Sequence, residues 1–344
     1  MFKGGATPGE HGFDHWFSTQ NNARPTHKNP ENFIRNGKRV GPLKGYSSGL
    51  IVDEAIQFLK ERDANKPFAL FVWFHSPHEP IATSDRFMEK YNRLPDKNQA
   101  MYYGNVSEID HATGRLLDTL DEMNLRDETF VMFTSDNGPE TLRRYRGSHR
   151  SYGWPGPLKG MKLHMHEGGI RVPGIIRWPG KTQAGQVCHE PVNGTDVLPT
   201  FCEIAGIKPP TGRAIDGASM LPIFKGKAIE RDTPLYWRYD NALSNAKHAL
   251  RQGDWKLLAT QDFKNLELYN LKRDKQETQN LAKNEKERAQ EMLTAMKAIH
   301  TDIEDIRISA RQSLPIGIIV NELVTNAYKY AFSPEYDQGR IGVK

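Results

Sequence analysis

The sequence predicts an α/β layered fold with a largely parallel sheet, followed by a small antiparallel sheet covered by one helix. Three observations carry this expectation. Helix-period and strand-like apolar segments alternate through about residue 226, the rhythm of a sheet with helices on its faces. The run Phe130-Val131-Met132-Phe133 ends in Thr134-Ser135-Asp136-Asn137-Gly138, like a buried strand delivering polar groups to its C-terminal edge. Beyond Gly226, short strands separated by polar turns follow closely on one another, which favours antiparallel pairing.

Taken in order, residues 1–46 are rich in Gly, Pro, Asn and His and read as ordered loop, because the embedded Trp16 and Phe17 need burial. From Ser47 the spacing of Leu50, Ile51, Ala55, Phe58 and Leu59 predicts a helix. Phe68 to Phe74 is a continuous apolar run of the length of a buried parallel strand. It runs into His75-Ser76-Pro77-His78-Glu79-Pro80, where two prolines hold the histidines in a loop. A second helix is predicted over about Asn105 to Leu125, from Val106, Ile109, Leu116, Leu117, Leu120 and Met123. The strand at 129–134 follows, then a basic, aromatic loop from Arg143 to Gly160. Lys162 precedes Glu167-Gly168-Gly169-Ile170-Arg171-Val172-Pro173, a strand-like run at 174–178, and a helix near 197–205. Short strands are expected at 235–239, 255–258 and 266–269. Ala289, Met292, Leu293, Met296, Ile299 and Ile303 form the helix face expected to pack on them.

Composition narrows the classes. A chain of 344 residues buries a sizeable core, and a net charge of +5 without a lysine or arginine run makes no case for nucleic acid. No stretch has the apolar length of a membrane span. The two cysteines, Cys188 and Cys202, build no disulfide framework and have no metal-type spacing. Met1-Phe2-Lys3-Gly4-Gly5 lacks the apolar core of a signal peptide.

Asp136 and Asn137 offer hard oxygen ligands, suited to calcium or magnesium rather than zinc. The competing reading is a β-turn, since Asn-Gly is a strong turn signal. His78 follows one predicted strand, Asp136-Asn137 the next, and Lys162 lies beyond a loop. In a parallel α/β sheet such segments converge on one edge. A cation, an ammonium and an imidazole together suit an anionic ester, with charge neutralised on the transferred group and the histidine serving the leaving oxygen. Each has a bland alternative: a lone lysine is usually a solvated surface charge, and a histidine beside proline is usually a turn residue.

HGFDHWF (11–17), FVWFHSPHEP (71–80), FTSDNGPE (133–140), LKGMKLHMHEGGIRVPGIIRWPG (158–180), TDVLPTFCEIAG (195–206) and the ALRQGDWKLL…LELYNL…NLA series (249–282) together resemble the formylglycine-dependent type I sulfatases. The resemblance covers about residues 4–305, and its overall pattern is similar to relatives of N-acetylgalactosamine-6-sulfatase. It implies an alkaline-phosphatase-like layered sheet, incomplete here, and hydrolysis of sulfate esters of glycans. Asp136 and Asn137 would be ligands of the family's calcium. Lys162 would contact the sulfate, and His78 would serve the leaving group, with His75 the alternative. In the wider superfamily a phosphomonoesterase or a phosphonate hydrolase is the near alternative, but its zinc-dependent members tend to carry His where Asn137 stands.

The chain departs from that pattern. No C/S-x-P-S-R nucleophile signature occurs, since Cys188 lies in Val187-Cys188-His189-Glu190 and Cys202 in Phe201-Cys202-Glu203. The paired N-terminal aspartates of the family are also missing, so the chain is expected to correspond to the latter portion of a sulfatase and to be inactive alone. In the expected division, residues 1–226 belong to the catalytic α/β domain, 227–305 form a C-terminal subdomain, and 306–344 are a separate tail. In that tail, Asn321-Glu322-Leu323…Asn326-Ala327…Lys329 resembles the N-box of a histidine-kinase ATPase domain, which would give Glu322, Asn326 and Lys329 roles at magnesium-ATP. The Asp-x-Gly-x-Gly segment of such a site does not follow, so no useful ATP binding is expected. Two other readings stand beside the enzyme: a signalling protein with this tail as output, and a non-catalytic binder of sulfated glycans. The sulfatase family is usually periplasmic or secreted, and no targeting segment here decides the compartment.

Overall fold

The computed structural model describes residues 6–211 and 214–305. The chain forms two compact units: Met1–Val131 with Glu140–Gly153, and Met132–Pro139 with Trp154–Lys344.

The first unit opens on a small antiparallel sheet of β1 (Phe17–Ser18), β2 (Ile34–Arg35) and β3 (Lys38–Arg39). Helix α1 (Ser47–Glu61) buries Ile51, Val52, Ala55 and Leu59, the face its spacing predicts. A short α2 (Asp85–Met88) leads to α3 (Lys97–Glu122), which starts earlier than its apolar spacing suggests. Asp96 sets that start by accepting from Asn98 N at 2.8 Å, an N-cap. Helices α1 and α3 pack together, and Arg115 reaches Asp53 at 2.6 Å between them. The run 68–74 is not a strand. A strand requires a ladder partner, and among the described residues none pairs with this segment. Val72 and Phe74 pack against Ala23, Phe33 and Ile51, while Trp73 stays 61% exposed.

In the second unit, β4 (Val131–Thr134) pairs with β5 (Gly174–Arg177) in a two-stranded sheet rather than the large parallel sheet expected. The short helices α4 (Glu167–Ile170) and α5 (Val197–Ile204) flank β5 in sequence. Then β6 (Leu235–Arg238), β7 (His248–Gln252), β8 (Trp255–Ala259) and β9 (Leu266–Asn270) form a four-stranded antiparallel sheet in chain order. Strand β7 extends the predicted set. It joins β8 through Gly253-Asp254, where Gly253 adopts φ +57°, the left-handed region a tight hairpin demands. Leu250, Leu257, Ala259 and Leu268 meet Ala289, Met292, Leu293 and Met296 of α6 (Lys286–Asp305). The opposite face buries Leu258, Ala249 and Tyr269 against Met165, Ala242 and Ala246. Strand alternation therefore assigns odd positions of β8 to the helix and even positions to the segment around Met165. Among the described residues no helix is long and apolar enough to cross a membrane.

Among the described residues of the first unit, Glu79 and Glu108 are buried carboxyls. Glu108 on α3 is 6% exposed and accepts from Thr83 Oγ1 at 3.1 Å. Burial raises its pKa to about 7, against the hydrogen bonds from Thr83, Asn105 and Ser84 that lower it. The folded state then holds a proton that the unfolded chain releases above about 4.5, so stability falls as pH rises from that value towards 7. Glu108→Gln is expected to stabilise the protein by roughly 1–2 kcal/mol at pH 8, with the gain shrinking towards pH 5. Urea unfolding at the two pH values checks this, and an equal effect at both would contradict it.

Candidate functional site

The polar end of β4 is fastened to the loop that carries Lys162. Gly138 N donates to Gly169 O at 2.9 Å, Lys162 N donates to Pro139 O at 2.8 Å, and Thr134 Oγ1 donates to Pro173 O at 3.0 Å. A Cβ on Gly138 would lie 1.9 Å from Gly168 O, and one on Gly168 would lie 2.1 Å from Gly160 O. Gly138 is not in the left-handed region. Close backbone approach, and not a turn's torsion, is therefore what requires glycine after Asn137. Asp136 is exposed and Asn137 half-buried. Ser135 Oγ donates to Asp136 Oδ1 at 3.4 Å, and Asn137 Nδ2 donates to Gly138 O at 2.9 Å. The amide nitrogen is thus engaged with the main chain, leaving Oδ1 as the acceptor for a ligand.

Lys162 is half-buried and, among the described residues, has no carboxylate partner. Its neighbour Leu163 adopts φ +69°, a conformation that costs a β-carbon-bearing residue about 1–2 kcal/mol. The loop holds that geometry by docking: Leu163 O accepts from Leu243 N at 2.7 Å, Met165 N donates to Ser244 Oγ at 3.2 Å, and the Met165 side chain is buried. Lys159, by contrast, is committed to Glu267 at 3.4 Å and Tyr269 Oη at 3.2 Å.

The anchor of this loop is Lys256 on β8, fully buried, at an even position and so on the Met165 face. Its Nζ lies 2.9 Å from Glu167 Oε1 and 2.9 Å from Glu277 Oε1, and Glu167 N donates to Glu277 Oε2 at 2.6 Å. Burial pushes the Glu167 carboxyl up, but Lys256, Arg251 and Arg171 outweigh it and hold the group below the ordinary carboxylate value. The motif glutamate is thus a structural clamp. Sequence reading missed Lys256 and Glu277, although a single charge within the apolar run Trp255–Ala259 was a signal.

His78 belongs to the first unit and is exposed in its loop. Nδ1 lies 2.8 Å from Glu79 O and 3.0 Å from Asn22 Nδ2. Glu79 is buried and receives Arg150 Nη2 at 2.8 Å, Arg150 N at 3.0 Å and Ile81 N at 2.9 Å. His75 differs: its Nε2 is bonded to Thr19 Oγ1 at 2.8 Å, and burial lowers its pKa to about 4. Nearby His27 is lowered to about 3 by burial and by the charges of His75, His78 and Arg150. Glu322, Asn326 and Lys329 lie outside the described residues.

Asp136 and Asn137 fit calcium in kind, as hard oxygens, but supply two of the six to eight ligands it takes. Among the described residues no group of three or more His, Cys, Asp or Glu side chains stands ready to hold a metal.

The strand end bearing Asp136 and Asn137 is thus bonded through Pro139 to the backbone of Lys162, a lysine that has no carboxylate partner among the described residues. Comparison with known proteins places the chain in a family. Residues 1–207 match the sulfatase family, and residues 160–307 match the C-terminal region of N-sulphoglucosamine sulphohydrolase. The chain belongs to the sulfatase family. Human arylsulfatase H is 38% identical over 195 residues, which cover 56% of this chain and 33% of that protein. Human N-acetylgalactosamine-6-sulfatase is 32% identical over 257 residues, covering 69% of this chain and 46% of the relative. The crystal structure of Ps i-CgsB in complex with k-i-k-neocarrahexaose shares the fold with a TM-score of 0.74 at 27% identity, over 85% of this chain and 67% of that one. The chain thus spans about a third to a half of the curated relatives it matches.

Lys256→Met would remove the ammonium that both buried carboxylates reach, leaving Glu167 with Arg171 at 3.5 Å, and is expected to destabilise the protein by about 3–5 kcal/mol in urea unfolding. Adding Glu167→Gln and Glu277→Gln should recover much of that loss. A single variant as stable as the parent would show that the clamp carries no weight.

Proposed function

We infer that this chain carries the sulfate-recognition portion of a sulfuric ester hydrolase acting on sulfated glycans. The observation that supports this most is Lys162: half-buried, without a carboxylate partner among the described residues, and tied through its own N–H to the segment bearing Asp136 and Asn137. Its ammonium would contact the sulfate as a charge-assisted donor. His78 would serve the ester's leaving oxygen, and the burial and hydrogen bonding of His75 favour His78 over it. Asp136 and Asn137 would be two of the ligands of a calcium ion, whose bound charge would neutralise the sulfate.

Glycan substrates are supported by the relatives, one of which is named for N-acetylgalactosamine-6-sulfate chemistry and another of which was crystallised with a neocarrahexaose. The formylglycine signature does not occur in these 344 residues, so the role proposed for them is recognition rather than the covalent step. The same reading keeps residues 1–226 within the catalytic α/β domain and 227–305 as C-terminal subdomain. The N-box-like motif of 306–344 rests on sequence resemblance alone.

Calorimetric titration of the chain with inorganic sulfate in the presence of calcium tests the reading. Lys162→Ala should weaken sulfate binding about tenfold or more. Asp136→Ala should abolish calcium dependence while leaving the fold intact. Sulfate affinity indifferent to both substitutions would overturn the assignment. Robust aryl-sulfate turnover by the chain itself would add a nucleophile that the sequence motifs do not identify.

A further inference from the structure

The peptide groups on either side of Lys162 are joined by one imidazole. His164 Nδ1 lies 3.1 Å from Met161 O and 3.3 Å from Lys162 O. These are the carbonyls immediately before and after the Lys162 Cα. Each only accepts, so both contacts ask for the same state of the ring, an Nδ1–H shared between two oxygens. A second proton would enter at Nε2 and leave that bridge in place, since both nitrogens then donate.

The surroundings keep the imidazole over its own loop. Gly160 adopts φ +79°, and a Cβ there would lie 2.9 Å from His164 Cβ and 3.2 Å from Cγ. The histidine therefore occupies the space that this glycine leaves free. A Cβ on Gly169 would lie 2.6 Å from Met161 O and 2.1 Å from His164 O. The Met161 carbonyl is thus pressed against the Gly169 backbone, where it accepts from His164 N at 3.0 Å as well as from the ring. His166, two positions on, is buried and engaged with the sheet instead, its Nε2 3.4 Å from Glu267.

We propose that His164 is the positioning residue of Lys162. The proposal rests on the sulfate contact assigned to Lys162 above. The lysine stem is flexible, and no carboxylate among the described residues fixes its ammonium, so the reach of that ammonium is set by where the Cα is held. The Lys162 N–H is tied to Pro139 O at 2.8 Å, while the next residue, Leu163, is strained at φ +69°. Without the imidazole, the peptide after Lys162 could rotate to relieve Leu163, and the Cα would shift with it. With the imidazole, the two flanking carbonyls meet at one donor and the Lys162 main chain has one conformation. His164 touches no sulfate oxygen in this scheme and acts through Lys162 alone.

Selective ¹⁵N-histidine labelling, hydrogen exchange and sulfate calorimetry on the full chain test this, with His164→Phe and His164→Asn. Phenylalanine fills the space over Gly160 but has no donor, whereas the asparagine amide nitrogen stands where histidine carries Nδ1 and can donate to the same carbonyls. The neutral wild-type ring, assigned by its loss in His164→Phe, should be mainly Nδ1–H. At a temperature where every variant is folded, His164→Phe should weaken inorganic sulfate binding about fivefold, the effect of one lost neutral hydrogen bond. The Lys162 amide should exchange faster in that variant by a similar factor. His164→Asn should restore both. A ring that is mainly Nε2–H, a His164→Phe chain that binds sulfate like wild type, or an asparagine variant no better than phenylalanine would overturn the proposal. Absence of sulfate binding by the wild-type chain, with the ring Nδ1–H and the Lys162 amide loosened by phenylalanine alone, would count against the sulfate assignment and leave the hold on Lys162 intact.

Discussion

The buried ammonium of Lys256 is the constraint on which the rest of the second unit depends. Taking a charge out of water is costly unless partners surround it, and here Glu167 and Glu277 both reach it at 2.9 Å. Strand alternation places Lys256 on the same face of β8 as Leu258, opposite the face that receives α6. The ion cluster therefore determines what must cover that face. Glu167 begins α4, and the glycines after it are the residues against which Gly138 packs. A single buried charge thus sets the register between the C-terminal sheet, the Lys162 loop and the Asp136-Asn137 strand end. Buried ion pairs seldom add net stability over apolar packing. The benefit here is one arrangement of the loop rather than many.

Three lysines within this region differ in how far their charge is already neutralised. Lys256 is neutralised on two sides and fully enclosed. Lys159 reaches Glu267 and Tyr269 and lies over the Tyr269 ring. Lys162 has no such partner among the described residues, and beside it Leu163 holds a left-handed backbone. Sites of ligand contact are where strain and unneutralised charge are retained. On the first unit the same contrast divides the histidines, with His27 and His75 kept neutral by burial while His78 stays exposed.

What the sequence revealed follows from which interactions are local. Helices α1, α3 and α6 were legible because their apolar residues recur at helical spacing. Three strands of the C-terminal sheet were legible from its turns and short apolar runs, whereas β7 was not predicted. The 68–74 run read as a strand because periodicity reports burial and not the presence of a ladder partner. Asp136, Asn137 and Lys162 stood out through motifs that compress several weak signals into one stretch. Lys256, Glu277, Asn22 and Arg150 did not, since each acts on a residue far along the chain. Asn22 meets His78 across 56 positions, Arg150 meets Glu79 across 71, and Lys256 meets Glu167 across 89.

The central claim is that the Lys256 clamp makes the Lys162 loop as firmly held as the sheet behind it. Hydrogen exchange of the full chain, followed by mass spectrometry, measures this directly. Amides bonded within the clamp, Gly138, Lys162 and Glu167, should be protected to within about one order of magnitude of those in β8, because they open only when the sheet opens. Exchange of these amides at the rate of unprotected loops, with β8 still fully protected, would contradict the account.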